Sequence, residues 1–297
     1  MRYLIIGGTG SLGVHLTLRL LKEGHEVAVL SRDEYKQRNL MKIFPEVKYF
    51  VGDIRDRSRP REVMENIDIV VHAAALKHVP TGEEEPEEVL KTNLLGTMNV
   101  INSVLRSRVK RMIYISTDKG SHPVNVYGMT KALGEKMVIS ANRQDSKFVG
   151  VRYGNVIGSR GSVIEYILNE KPETMDITDS RMTRFWMNLD QACDIILDAV
   201  DTAEPGEIYI PKCKSLKVSD MFKYLDSNLE LTESGMRPGE KLHECLVNKD
   251  ESLHTIEHVD KFVILPEMFN TYKIKVPFEY TSENAPKLTK EEFLKLI

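Results

Sequence analysis

Residues 3–13 read Tyr3-Leu4-Ile5-Ile6-Gly7-Gly8-Thr9-Gly10-Ser11-Leu12-Gly13. The first four predict a buried strand. Leu12, Leu16 and Leu20 recur every four residues with charges on the far side, the stripe of an amphipathic helix. Between strand and helix stand Gly7, Gly10 and Gly13. Glycine permits a tight turn and lets backbone approach a ligand, and a helix N-terminus attracts phosphate. A glycine triplet alone is a weak signal. Set between a strand and an amphipathic helix, it points to a bound pyrophosphate.

Outward from this turn, the first half of the chain alternates strands and helices. Residues 27–30, 47–51, 69–72 and 112–115 are short apolar runs, and Val149, Val151 and Tyr153 mark another strand. Such runs fit a parallel sheet covered on both faces. The expected fold is α/β, a Rossmann-type doubly wound parallel sheet over residues 1–157 with a smaller C-terminal substrate-binding lobe over 158–297. From about Gly158 the alternation weakens. Helices over 189–201 and 218–226, a strand at Ile208-Tyr209-Ile210 and the turn Arg237-Pro238-Gly239-Glu240 are assigned to the lobe, with the chain crossing back to the sheet. The acidic run Glu83–Glu88 around Pro86 reads as a helix start, where acids suit the dipole.

The 297 residues are 41% hydrophobic and 29% charged, with a formal net charge of -3. That surface gives no electrostatic case for nucleic acid. No apolar run approaches the roughly 20 residues of a membrane span. The run before Gly7 is too short for a signal peptide, so a cytoplasmic protein is expected. Cys193, Cys213 and Cys245 lack CxxC spacing and are read as reduced thiols. His243 and the other histidines show no ligand spacing, and no metal is expected.

The end of the second strand speaks to the cofactor. An acid there would hold a ribose hydroxyl and repel a 2′-phosphate. This strand ends in Ser31 and Arg32, and a guanidinium suits phosphate. Lys36 lies one helical turn on, while Asp33 opposes a purely basic pocket. The reading is NADP. Its candidate contacts are Gly7, Thr9, Gly10, Ser11, Leu12, Gly13, Ser31, Arg32, Asp33 and Lys36. Asp53 and Ile54 follow the third strand at the adenine edge, and the small Ala73 and Ala74 follow the fourth.

The fifth strand ends in Ser116-Thr117-Asp118-Lys119, and Tyr127 and Lys131 follow, four apart on one helix face. A free phenol has a pKa of about 10. An ammonium one turn away favours the phenolate, so Tyr127 is the candidate base for a substrate hydroxyl and Lys131 its partner, also holding the nicotinamide ribose. Thr117, Asp118 and Lys119 serve one substrate only if the strand turns there. Gly120 and Ser121-His122-Pro123 supply turn residues.

The segments GGTGSLG, GDIRD, HAAALKHVP, STDKGSHPVNVYGMTK, VRYGNVIGSRGSV, ITDSRMTRFW and MRPGEKLHE together resemble the UDP-N-acetylglucosamine 4,6-dehydratases, extended short-chain dehydrogenases. The resemblance is strongest to the soluble C5-inverting branch that opens pseudaminic acid synthesis. It covers essentially the whole chain. It implies catalytic roles for Thr117, Asp118, Lys119, Tyr127 and Lys131, and places Lys77 between cofactor and substrate. It implies UDP-sugar contacts at Asn155, Ser159, Arg160, Gly161, Ser162, Val163, Arg184, Arg237 and Glu240, and a homo-oligomer. Gly120 stands where alanine is common, and Glu165 where proline is common.

The implied reaction oxidises C4, eliminates water across C5 and C6, and returns hydride to C6. Tyr127 is then the C4 base, Lys119 the C5 base and Asp118 the acid at O6. This requires a neutral Lys119 and a protonated Asp118. Burial is expected to push both that way, with Lys131 helping Lys119. The DK pair alone leaves C5 stereochemistry open. A sugar-nucleotide 4-epimerase needs only the tyrosine–lysine pair, and Asp118-Lys119 argues against it. A non-catalytic NADP-binding regulator would be expected to lack Tyr127 or Lys131.

Overall fold

The computed structural model describes residues 1–142, 146–159, 161–266 and 276–297. Its centre is a nine-stranded sheet. Six strands come from the first half of the chain: β1 (Arg2–Ile6), β2 (Glu26–Ser31), β3 (Lys48–Val51), β4 (Ile69–His72), β5 (Arg111–Thr117) and β6 (Lys147–Tyr153). They are parallel, in the order β3-β2-β1-β4-β5-β6. Strand order reverses between β1 and β4, which opens a crevice at their C-terminal ends.

The apolar runs follow from burial on both faces. Tyr3, Ile5, Val27, Val29, Ile113 and Ile115 pack on one side with the helices Ser11–Lys22 and Leu189–Thr202. Leu4, Ile6, Ala28, Leu30, Met112 and Tyr114 pack on the other with Gly96–Val104 and Val126–Ser140. Alternate residues of each strand thus serve opposite faces. The helix opening at Pro86 has Glu87 and Glu88 in its first turn, paired with Lys91 at 2.8 and 3.1 Å.

After β6 the chain leaves the sheet through β7 (Asn155–Val156), β8 (Thr174–Ile177) and β9 (Thr183–Met187). It returns as β10 (Ile208–Pro211), parallel to β6. Then come β11 (Ser215–Lys217), β12 (Glu230–Glu233) and β13 (Cys245–Val247), an antiparallel pair β14 (Thr255–Glu257) and β15 (Lys261–Ile264) beside β10, and β16 (Tyr280–Thr281) paired with β13. Two elements expected in the lobe therefore belong to the central sheet. Ile208-Tyr209-Ile210 is a buried strand of it. The helix Leu189–Thr202 lies against its first helix, where Asp190 meets His15 at 2.8 Å and Asp194 meets Arg19 at 2.9 Å.

The lobe is a three-stranded sheet β11-β9-β7 and a parallel pair β8-β12. Its own core holds Ile164, Ile167, Trp186, Phe222 and Phe293. Ser162 caps the helix Val163–Glu170, and the Gly161 N–H donates to the Glu165 carboxylate at 2.7 Å. Glu165 thus fastens the turn ahead of its own helix. No described helix is long and apolar enough to cross a membrane.

Candidate active site

A cavity of about 870 Å³ fills the crevice and runs from the β2 end to the β5 end. Gly7 has φ +86°, and a Cβ there would stand 2.8 Å from the Ala74 backbone nitrogen. At Gly13 a Cβ would stand 2.4 Å from the Gly8 Cα. Only glycine fits either place. The helix Ser11–Lys22 starts at Gly10 without a side-chain cap from that residue, and its first turn lines the crevice, where a helix N-terminus favours an anion. Gly7, Thr9, Gly10, Ser11, Leu12, Gly13, Ala73, Ala74 and Lys77 line the cavity. A dinucleotide pyrophosphate fits this cradle.

Ser31, Arg32, Asp33, Lys36, Asp53 and Ile54 line the β2 end. Both cations already face acids. Arg32 stands 3.7 Å from Asp53, and Lys36 stands 2.9 Å from Asp33. Asp33 also caps the helix Glu34–Met41, accepting from the Lys36 N–H at 2.8 Å. Gln37 donates to the Ser31 hydroxyl at 2.9 Å and to the Phe50 carbonyl at 2.7 Å, which fixes the ends of β2 and β3 together.

At the β5 end the strand stops at Thr117, and Asp118–Gly120 forms one 3₁₀ turn. The turn thus begins at Asp118 itself and brings neighbouring side chains to one place. The Thr117 hydroxyl donates to Asp118 Oδ1 at 3.0 Å, and the Lys119 ammonium donates to the same oxygen at 3.1 Å. Asp118 is fully buried, and its Oδ2 has no partner among the described residues. Burial pushes the Asp118 carboxyl above its ordinary range, Lys119 pulls it back and Glu244 pushes it up again.

Two charge states differ from the expectation. Burial alone would lower Lys119, but Asp118 at 3.1 Å and Glu244 at 3.3 Å outweigh it and raise the lysine above its ordinary value. Lys119 is therefore an ammonium here, not the neutral amine expected, and the cation opposing its charge is Arg184 rather than Lys131. Tyr127 is raised by burial. The groups drawing it down are Lys119 and the Thr117 hydroxyl, so Lys131 does not act as the expected activating cation. The reason is that Lys131, 4% exposed, is itself pushed down by burial to about 7. Its ammonium donates to the Ile115 carbonyl and lies 3.9 Å from the centre of the Tyr114 ring. Glu135, its neighbour one turn on, is drawn to the buried Arg152, which also holds Glu251 at 2.7 and 2.9 Å.

Glu244 was not legible as a site residue. It directly precedes β13 and is 3% exposed. Its carboxylate faces Lys119 at 3.3 Å, Lys241 at 2.8 Å and Arg184 at 3.9 Å. Burial would raise its pKa, but the three cations hold it down at about 2.

The implied sugar-nucleotide residues divide. Asn155, Ser159, Ser162 and Val163 line the cavity, as do Trp186 and Tyr153, which the motifs did not single out. Gly161, Arg184, Arg237 and Glu240 do not line it, and Arg160 lies outside the described residues. Arg184 donates to the Thr183 and Leu242 carbonyls at 2.7 and 3.1 Å. Arg237 is exposed, and its N–H donates to Glu240 at 3.2 Å. Their loop is tied to the helix Val126–Ser140 by Asn125, which donates to the Gly239 carbonyl at 2.7 Å and caps the helix by accepting from the Gly128 N–H.

Residues 3–266 match the polysaccharide biosynthesis protein family. The chain belongs to that family. Within it, the inverting UDP-N-acetylglucosamine 4,6-dehydratase of Campylobacter jejuni is 39% identical over 99% of this chain and 96% of its own. A protein of Rickettsia conorii named UDP-glucose 4-epimerase is 36% identical over 99% of this chain and 94% of its own. The solved structure of Pen from Bacillus thuringiensis superimposes with a TM-score of 0.92 at 36% identity, covering 100% of this chain and 96% of Pen. Family membership thus spans more than one named activity, and the site geometry must separate them.

Proposed function

We propose that the chain is a hydro-lyase that removes water across C5 and C6 of UDP-N-acetylglucosamine, giving a UDP-4-keto-6-deoxy-hexosamine with inversion at C5. The observation that carries this reading is the buried Asp118–Lys119 pair beside Tyr127. A 4-epimerase has no use for an elimination acid and base. A binding-only regulator has no use for Tyr127, Lys131 and a buried charge cluster together. The dehydratase name of the Campylobacter relative agrees with this choice.

A nicotinamide dinucleotide in the crevice supplies the hydride acceptor for C4 and the hydride donor for C6. Of the two forms we favour NADP, because Ser31 is neutral and Arg32 sits beside it at the rim. Tyr127 takes the proton of the C4 hydroxyl. The resulting C4 ketone acidifies the C5 hydrogen. Lys119 must first lose its proton, and Asp118 Oδ1 at 3.1 Å is a recipient in direct contact. That transfer leaves both groups neutral. Lys119 then takes the C5 proton while Asp118 gives its proton to O6, which departs as water. Hydride added at C6 and a proton at C5 complete the product.

Residues 1–157 would hold the dinucleotide. The lobe built on β7, β9 and β11 would hold the UDP-sugar through Asn155 at its edge, Ser159–Val163 and the Arg184, Arg237 and Glu240 positions, with Lys77 between the two ligands. Met98 in the helix Gly96–Val104, Leu95 and Leu105 at its two ends, and Met129 and Leu133 on the helix Val126–Ser140 are exposed apolar residues, which suits self-association. The three free cysteines fit a reducing compartment, and we place the reaction in the cytoplasm. The test is incubation with UDP-N-acetylglucosamine and NADP followed by mass analysis. A product lighter by one water is expected, and an isobaric product would instead indicate epimerisation.

A further inference from the structure

Two carboxylates flank the Lys119 ammonium, and they differ in surroundings. Asp118 Oδ1 lies at 3.1 Å and Glu244 Oε1 at 3.3 Å. Glu244 has two further cations, Lys241 at 2.8 Å and Arg184 at 3.9 Å. Asp118 has one cation, Lys119, and the Thr117 hydroxyl on Oδ1, and no cation within ion-pair distance of Oδ2 among the described residues. The backbone of Glu244 is pinned as well. Its N–H donates to the Ser282 hydroxyl at 2.9 Å, and its carbonyl accepts from the Ser282 N–H at 2.8 Å. That hydroxyl in turn donates to the Thr183 carbonyl at 3.0 Å, so Glu244 is locked to β9.

We propose that Glu244 is a positioning residue for the elimination step. It is the counter-ion of the resting Lys119 ammonium and favours a proton on both members of the Asp118–Lys119 pair, so it helps Asp118 as the acid and opposes loss of the lysine proton. Lys119 would otherwise be answered by Asp118 alone, and an Asp118 held as a carboxylate has no proton for the leaving hydroxyl. With three cations favouring the Glu244 carboxylate, Asp118 is the carboxyl left to carry a proton. In the step served, the Asp118 proton moves to O6, the C6–O6 bond breaks to release water, and the C5 proton passes to Lys119 as the C5–C6 double bond forms.

The proposal rests on the dehydratase reading for its rate consequence, but not for its charge consequence. Removing a negative charge lowers the pKa of every neighbour, so both limbs of the elimination profile move together. The groups facing the pair are Tyr127 from the catalytic helix, Arg184 from β9, Cys213 after β10, and Lys241 and Glu244 ahead of β13. Lys241 is the cation closest to Glu244, and its ammonium also donates to the His122 carbonyl. Replacing it should act with the opposite sign to replacing Glu244.

The experiment uses the full chain labelled with ¹³C at aspartate carboxyls, with Asp118→Asn to assign the signal. The Asp118 midpoint is titrated in the unchanged chain, in Glu244→Gln and in Lys241→Met. The pH profile of water loss from UDP-N-acetylglucosamine is measured alongside. Glu244→Gln should move the Asp118 midpoint and the whole rate profile to lower pH by about 1–3 units. Lys241→Met should move both to higher pH. A purely structural Glu244 would lower the height of the profile and leave its position alone. Unmoved midpoints, or midpoints moving the same way in both variants, would overturn the proposal. If Glu244→Gln fails to fold, the direction of the Lys241→Met shift decides it. If the unchanged chain releases no water, the dehydratase reading falls, and the Asp118 midpoints still decide the role of Glu244.

Discussion

The two ends of the crevice carry charge in opposite ways. At the β2 end, Arg32 and Lys36 keep 50% of their side-chain exposure while facing Asp53 and Asp33. At the β5 end, Asp118 and Glu244 are 0% and 3% exposed around a Lys119 that keeps 19%. Water and salt screen the first set, and only other protein groups answer the second. An open, screened end grips a ligand and tolerates change. A closed end fixes protonation states, and each of its charges depends on the others. That difference orders the expected effects of substitution.

The largest losses belong to the closed end. Tyr127→Phe removes the proposed C4 base, and Lys119→Met removes the proposed C5 base at similar bulk. Each should slow turnover by about 10²–10⁴-fold. They should differ in where they stop. In single turnovers with UDP-N-acetylglucosamine, Tyr127→Phe should give no reduced nicotinamide absorbance. Lys119→Met should still give some, with no water lost by mass analysis. Loss of the first absorbance in Lys119→Met as well would assign Lys119 to binding.

A smaller effect is expected in stability. Lys131 titrates near 7 in the folded chain, against an ordinary 10.5. Below about 7 it is charged in both states. Between 7 and 10.5 the unfolded chain holds the proton and the folded chain does not. Stability without nucleotide should therefore rise with pH across that window, by up to about 1.4 kcal/mol per unit. Urea unfolding at several pH values checks this. Lys131→Met should be flatter than the unchanged chain, and equal slopes would show that Lys131 is not buried as described.

The smallest effect lies at the open end. Arg32→Asp puts a carboxylate where a 2′-phosphate would approach. We expect the ratio of NADP to NAD affinity to fall by about tenfold, roughly 1.4 kcal/mol. Fluorescence titration of both nucleotides measures it. Equal affinities in the unchanged chain would leave Arg32 no part in selecting the cofactor.

The same contrast explains what was legible in the sequence. The β1 turn, the alternating strands and the Tyr127/Lys131 spacing are local patterns, and local patterns survive in one dimension. Ile208-Tyr209-Ile210 lies beyond the point where the strand–helix alternation weakens, and its partner is the sequence-distant β6. The state of Lys119 failed for the same reason. Burial was inferable from its position beside a buried strand. The second carboxylate arrives from Glu244, brought in by β13 and Ser282. Arg152, with Glu135 and Glu251, is another buried set assembled from distant segments. Glu244 closes the MRPGEKLHE segment, but there Arg237 and Glu240 drew the functional reading, and nothing local marks the last glutamate as the partner of Lys119.

Asp118 and Lys119 are proposed to make this site an eliminating one. That proposal is tested most directly by incubating the chain with UDP-N-acetylglucosamine and NADP in deuterated water and following the sugar by NMR. Elimination at this site gives a 4-keto product with a methyl group at C6 and deuterium at C5. A product that keeps its C6 hydroxyl and its original C5 hydrogen, with only the C4 configuration changed, would contradict it.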